Sequence, residues 1–281
     1  MSFIYIFLSA FLENFIFKQV NKLENRNFHS SILFFISATV LLIVYFSIYT
    51  FNPADFSFLY ETLFYFQIIL ELLVFYLYRE NYYQNKDNYT MINMFVFSTI
   101  YLMPILAFTY NSIFIFNNSL DIKYDSFYEA FIFSLTLFIL SLIYYLDKIR
   151  NKEIKNFKLL VLLLIVLLHS MYFSVKIIQT YNGFLIYSFI QFIVAIYFFI
   201  LSNKEPKEIS LKKVGLYLAW PFVFIFYVLA ANIMAVEFIT IFKRVSQILS
   251  AMILDRKILK KDTILIFSIV LISLIFYNYK V

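Results

Sequence analysis

VEFITIFKRVSQILSAMILDRK, residues 236–257, is the stretch on which the reading of this chain turns. It is a helix-forming run long enough to cross a membrane, yet Lys243 and Arg244 stand side by side inside it. On a solvent-exposed helix two cations need no explanation. Near a bilayer centre each costs roughly 2.5–3.5 kcal/mol on insertion scales. Whether this stretch lies in a membrane therefore decides what the pair means.

The remainder of the chain answers that question. Of 281 residues, 63% are hydrophobic and 14% charged, with a mean hydropathy of +0.83, whereas an ordinary soluble domain carries about 25% charged residues. Apolar runs close to the ~20 residues that a ~30 Å hydrocarbon core demands recur along the whole length. They fall at about 2–20, 31–51, 57–78, 91–116, 124–146, 158–179, 181–202, 212–231, 235–254 and 263–279, which makes about ten helices. Segments such as FKLLVLLLIVLLHSMYF, residues 157–173, are apolar on every face and lack the alternation of a barrel strand. The expected fold class is all-α integral membrane. The opening MSFIYIFLSAFLENFIF lacks a basic n-region and a small-residue cleavage site, so it reads as a retained first helix.

The net charge of +6 lies at the borders of the apolar runs, where it sets topology, and not in a patch suited to nucleic acid. The loops after helices 1, 3, 5, 7 and 9 hold 18 of the 23 basic residues, and the intervening loops hold only Lys123. Basic loops belong on the cytoplasmic side, which puts both termini outside. If the ten helices form two sets of five, the second set enters the membrane in the opposite orientation, because five is odd. The charges follow that rule: loops 1 and 3 are basic while their counterparts, 6 and 8, are neutral. The sequence echoes it too. LDIK at 120–123 precedes an apolar helix ending SLIYY, and LDRK at 254–257 precedes one ending SLIFY. Two inverted five-helix repeats, 1–150 and 151–281, are expected.

With ENFIFK at 13–18 and EFITIFKRVSQILSAMILDRKILKKDTILIFSIVLISLIFY at 237–277, the chain resembles the drug/metabolite transporter superfamily, in particular its EamA-like ten-helix members. The second block is similar to that family's closing hairpin, with a Lys/Arg-Arg-x-Ser element, an acidic residue (here Asp255), a basic turn and a final helix. The resemblance implies two inverted five-helix repeats and transport of small metabolites. Glu13 also resembles, in depth, the membrane-embedded glutamate in the first helix of the small multidrug exporters. The chain departs from the family in having two glycines, Gly183 and Gly215, so close helix approach has to rely on residues such as Ser250 and Ala251.

Function must come from polar groups inside the membrane. Lys176 and Lys18 sit near helix ends and are expected to snorkel, while Glu129 and Glu237 sit near helix N-termini, where the macrodipole favours a carboxylate. From Val236 to Lys243 is about 10 Å, and consecutive residues point about 100° apart, so at least one of Lys243 and Arg244 must face the bundle. An inward cation requires a counter-charge, a water-filled cavity or an anionic ligand. Lys243 and Gln247 share a face with Ser250 and Ala251, and Arg244 lies beside it. Such a strip offers donors to a carboxylate or phosphate. The alternative is a buried ion pair with Glu13 or Glu71. Either acid is a candidate proton-coupling group. Asn93 and His169 complete the expected substrate-binding set, although His169 is also placed to donate to a carbonyl one turn back.

No cysteine is available for a disulfide or thiolate site, and two histidines are too few for a histidine metal cluster, so no cofactor or metal is expected. The expected function is secondary transport of small metabolites by alternating access, with an anionic or zwitterionic substrate, in a cavity lined by helices 1, 3, 4, 6, 8 and 9. No G-x-x-x-x-G-K-[ST] motif points to ATP. An integral-membrane lipid-modifying enzyme is the competing reading. The partners are then a small-molecule substrate and the lipid bilayer, the location a bacterial inner membrane, and a monomer is compatible with both.

Overall fold

The computed structural model describes residues 2–20, 23, 25–84, 99–113, 122, 124–149, 157–207, 209, 213–255, 264 and 268–276. The helices are α1 (Ser2–Val20), α2 (Arg26–Ile48), α3 (Thr62–Gln84), α4 (Thr99–Ile113), α5 (Phe127–Ile149), α6 (Phe157–Thr180), α7 (Gly183–Leu201), α8 (Val214–Ala231) and α9 (Val236–Asp255). A further helical stretch, α10, covers 268–276. No strand occurs among the described residues. Six helices (α1, α2, α3, α6, α7 and α8) are long and apolar enough to cross a membrane. The chain is an all-helical integral membrane protein.

Its surface is apolar where a soluble protein would be polar. Phe35, Ile43, Ile69, Ile132, Ile196, Leu218 and Phe222 are all exposed, as a lipid-facing shell requires. Polar side chains turn inward instead, and serine hydroxyls stitch helices together. Ser9 Oγ donates to the Val223 carbonyl at 2.8 Å, joining α1 to α8, and Ser188 Oγ donates to the Ala38 carbonyl at 2.8 Å, joining α7 to α2. In lipid there is little hydrophobic drive between helices, so close packing and such bonds carry the association.

Helix α9, the opening stretch, is absent from the six because its charges make it too polar. It is nevertheless a regular 20-residue helix. Every residue from Val236 to Gln247 is buried except Lys243, which is half-buried. Burial around the full helical circumference means that protein, and not lipid, encloses this part of α9, which packs against α1, α4, α6 and α8. Sequence reasoning left one of its two cations able to snorkel outward; both instead point into the bundle.

The remaining helices pack across the chain's midpoint. α2 lies along α7 and α4 against α9; α1 packs on α8 as α3 packs on α6; α2 also touches α8, and α3 touches α7. Phe133 of α5 stacks on Phe276 of α10, with ring centroids 4.0 Å apart and planes 3° from parallel.

Two helix starts differ from the sequence expectation, each for a local reason. α2 begins at Arg26, earlier than expected, because partners satisfy its first turn: Glu205 Oε2 accepts from the Phe28 amide at 2.9 Å. The third span begins later, at Thr62. Residues Pro53–Tyr60 form a separate 3-10 turn whose start is capped by Asn52, which accepts from the Ala54 amide at 3.1 Å, with Pro53 in the first turn.

Around Glu205 the ends of α2, α3 and α7 are fastened by a belt of charges. Arg26 Nη2 lies 3.1 Å and Arg79 Nη2 3.6 Å from Glu80 Oε1. Arg79 also donates to Asn27, and Asn27 to Glu205. The Arg79 guanidinium lies 4.7 Å from the Phe198 ring centroid. At the other end of these helices the closure is aromatic. Phe58 is fully buried against Phe64, Phe189 and Tyr181.

Candidate functional site

Between the two ends lies a small cavity of about 60 Å³. α1 contributes Glu13, α3 Glu71 and α9 both Lys243 and Arg244. α6, α7 and α8 supply the rest of the wall, including Ser170, Ser174, Tyr187 and Tyr227. The expected lining by helices 1, 3, 6, 8 and 9 is met, but α7 takes the place assigned to helix 4. α4 stands one layer back, where Thr99 holds Arg244.

Lys243 and Arg244 have different partners, as their 100° offset requires. Lys243 Nζ lies 3.3 Å from Glu13 Oε2 and 4.6 Å from the centroid of the Tyr227 ring. This ion pair is partly open, each side chain being 17% exposed. Arg244 turns toward α4 and α6. Its Nε donates to Thr99 Oγ1 at 3.2 Å, its Nη2 to the Met171 sulfur at 2.8 Å and its Nη1 to Gln247 Oε1. Only 3% of Arg244 is exposed. Gln247 does not line the cavity. It bridges, taking Arg244 on its oxygen while its Nε2 reaches Glu13 Oε2 at 3.5 Å. Behind it, Asn14 Nδ2 donates to the Gln247 carbonyl at 2.9 Å and to Ser250 Oγ at 2.6 Å, holding α1 close to α9.

Glu71 sits in a cage of neutral donors. Its Oε1 accepts from Gln67 Nε2 at 2.9 Å, Ser170 Oγ at 3.3 Å and Tyr187 OH at 3.4 Å. Ser174 then links Tyr187 to Tyr227, 3.2 Å from the latter's hydroxyl, so a polar chain runs from Glu71 to the aromatic ring under Lys243. Glu13 and Glu71 thus face the same cavity with different company: Glu13 is paired with Lys243, whereas Glu71 is hydrogen-bonded and, among the described residues, has no cation within 4 Å.

Of the residues expected to bind substrate, Glu13, Glu71, Lys243 and Arg244 line one cavity, and Gln247 supports it. His169 does not belong there. Its Nδ1 lies 2.8 Å from the Ile165 carbonyl one turn back, and its ring packs edge-on to Tyr110. The helix itself thus supplies the local acceptor that keeps the imidazole out of the site. Asn93 lies outside the described residues, as do Arg256 and Lys257. Lys176 corrects another expectation: it is fully buried, with its ammonium 5.6 Å from the Tyr172 ring, and does not snorkel.

Sequence reasoning missed Gln67, Ser170, Ser174, Tyr187 and Tyr227. A signal existed for three of them. Gln67 precedes Glu71 by four residues, and Ser170 precedes Ser174 by four on an otherwise apolar helix, the spacing that puts two side chains on one face. The two tyrosines carry no such mark among 24 in the chain. Among the described residues, no three of His, Asp and Glu gather in a way that could hold a metal ion.

No family model matches the chain, and no curated protein or solved structure does either. The likeness to drug/metabolite transporters therefore rests on the residues quoted for it.

Proposed function

We propose that this protein is a secondary transporter of small polar metabolites, built as two inverted five-helix repeats, 1–150 and 151–281, that rock about the central cavity. The observation that carries the reading is the cavity itself: two carboxylates and two cations from α1, α3 and α9 face one space inside a membrane bundle. Ionisable groups are expensive there and mark substrate or ion pathways.

The packing supports the repeat. Renumbering α1–α5 as α6–α10, and the reverse, turns the α1–α8 contact into α6–α3, α2–α8 into α7–α3 and α1–α9 into α6–α4, and each of these contacts exists. The pairs α2–α7, α4–α9 and α5–α10 map onto themselves and also touch. A two-fold axis between the halves would produce that pattern. The reading includes both termini outside, as the positive-inside rule favours, and a bacterial inner membrane as the location. Lys243 and Arg244 favour a substrate bearing an acidic group. A carboxylate facing the cavity also fits proton coupling.

Proteoliposomes loaded with a defined mixture of small metabolites test this. Counterflow of at least one solute should exceed that of empty liposomes and fall about tenfold or more in Lys243→Ala with Arg244→Ala. No flux above background, or flux indifferent to both substitutions, overturns the proposal. A reporter fused after Val281 that is active only in the cytoplasm reverses the orientation.

A further inference from the structure

At about 60 Å³ the central cavity has room for a few waters and not for a metabolite, so the bundle is shut at both ends in this conformation. What separates the cavity from the charged belt is a cluster of rings. Phe34 of α2 is buried among Phe75 of α3, Phe198 of α7 and Trp220 of α8, with ring centroids 4.7, 5.5 and 5.5 Å away. Trp220 lines the cavity, while Phe198 carries the Arg79 guanidinium of the belt. Phe34 therefore stands between the two.

The seam that holds Phe34 also holds polar groups that bond to nothing. α2 and α7 run antiparallel, with the Ser188 hydroxyl on the Ala38 carbonyl and Phe35 beside Phe192. Phe35 and Phe192 are exposed and face lipid. Ser37 instead shares the face of Phe34, three residues away, and Gln191 shares that of Tyr187, one turn and about 6 Å nearer the belt than the cavity wall. Both are fully buried, yet the Ser37 hydroxyl and both amide atoms of Gln191 have no hydrogen-bond partner among the described residues. Nearer the belt, His29 repeats the pattern. Its Nδ1 meets the Tyr217 hydroxyl of α8, and its buried Nε2 has no partner among the described residues.

A buried polar group left unpaired costs about 1–3 kcal/mol, and the hydrocarbon around the bundle supplies no water to offset it. Alanine and leucine would serve better in a seam that only ever held α2 against α7. Groups left bare in the shut form are satisfied once the seam parts and water enters. We propose that the cavity opens toward the belt along a route between α2, α7 and α8, lined by Ser37, Gln191, His29 and Tyr217, with Phe34 as its plug. Two of its walls, α2 and α7, lie outside the set of helices that the sequence assigned to the cavity. The inference rests on the transporter reading for the purpose of such a route, while the route itself is tested by access alone.

The chain contains no cysteine, so a single introduced thiol is the only one present. The test is modification of the full chain by a membrane-impermeant maleimide, applied to membrane vesicles of both orientations. Lys204→Cys, exposed beside the belt, marks that side. Phe35→Cys, which faces lipid, sets the background, because a thiol in apolar surroundings stays protonated. Ser37→Cys and Gln191→Cys should each react from the belt side about tenfold or more faster than Phe35→Cys. Phe34→Ala should raise both rates about threefold or more by favouring the open form, and leave Phe35→Cys unchanged. Phe34→Leu, which keeps more of the core filled, should act in the same direction and serves if the alanine form does not accumulate. A water trapped in a permanently shut seam would satisfy the same groups but would not admit the reagent. If either thiol reacts no faster than Phe35→Cys, if either reacts faster from the opposite side, or if the Phe34 variants leave the rates unchanged, the inference is wrong. Labelling from the belt side in a protein that moves no solute in proteoliposomes would keep the route and remove the transporter. Solute flux with both thiols inert would keep the transporter and remove the route.

Discussion

The central cavity and the belt where α2 begins both bury arginine and glutamate, and they use them in opposite ways. In the belt the charges interlock: Arg26 and Arg79 share Glu80, Arg79 reaches Asn27, and Asn27 and the start of α2 occupy Glu205. In the cavity Arg244 and Glu71 are held apart, each on neutral partners. Interlocked charges fasten helices together. Charges kept apart on the walls of one space do not, and the contrast teaches that burial alone does not tell what a charge is for.

Removing one partner tests each region, and the largest effect belongs to the belt. Arg79→Ala should cost about 3–5 kcal/mol, as breaking a buried charged network does, and appear as a large fall in thermal midpoint in detergent. Arg244→Gln should leave that midpoint within about 1 kcal/mol equivalent of the parent, because its partners are neutral and a glutamine offers a replacement donor and acceptor. If Arg244→Gln unfolds the protein and Arg79→Ala does not, the roles are reversed.

Gly183 joins the two regions, since α7 carries Tyr187 to the cavity and ends near Glu205. A methyl group there would lie 2.8 Å from both Ile178 Cγ2 and Val228 Cγ1. Gly183→Ala should therefore cost about 2 kcal/mol by overpacking and disturb both regions together. A stabilising alanine would mean that α7 has room to move.

The Lys243–Glu13 ion pair should behave as a true pair. A double-mutant cycle of Lys243→Met and Glu13→Gln, read in thermal unfolding, should give a coupling of about 1–2 kcal/mol. Zero coupling would mean that the contact adds nothing to the fold. Ser174→Ala has the smallest effect, about 1 kcal/mol, for a hydroxyl that links Tyr187 to Tyr227. Its sharper signature would be weaker ligand binding, because the Glu71 cage loses its support.

Much of the architecture was legible without coordinates. The first span, 2–20, matches α1 residue for residue, and the ninth, 235–254, matches α9 within one. Glu13, Glu71, Lys243 and Arg244 stand out in the sequence as ionisable groups inside apolar runs, and they share one cavity. The departures fall where a local bond or a covering neighbour decides where a side chain goes. His169 lies at the same depth as the site but bonds its own helix, and Lys176 is covered instead of reaching the surface.

The sequence by itself determined that this is a helical membrane protein and which charges lie inside it. Apolar length against hydrocarbon thickness is a local quantity, readable within each run of about 20 residues. Only the tertiary structure decided that Lys243 meets Glu13 while its neighbour Arg244 meets Thr99, Met171 and Gln247, and that Glu71 meets none of the cations closely. Those outcomes depend on how far each helix is rotated about its axis and on which helices touch. A turn of 100° between adjacent residues is enough to give two cations side by side in sequence entirely different neighbours.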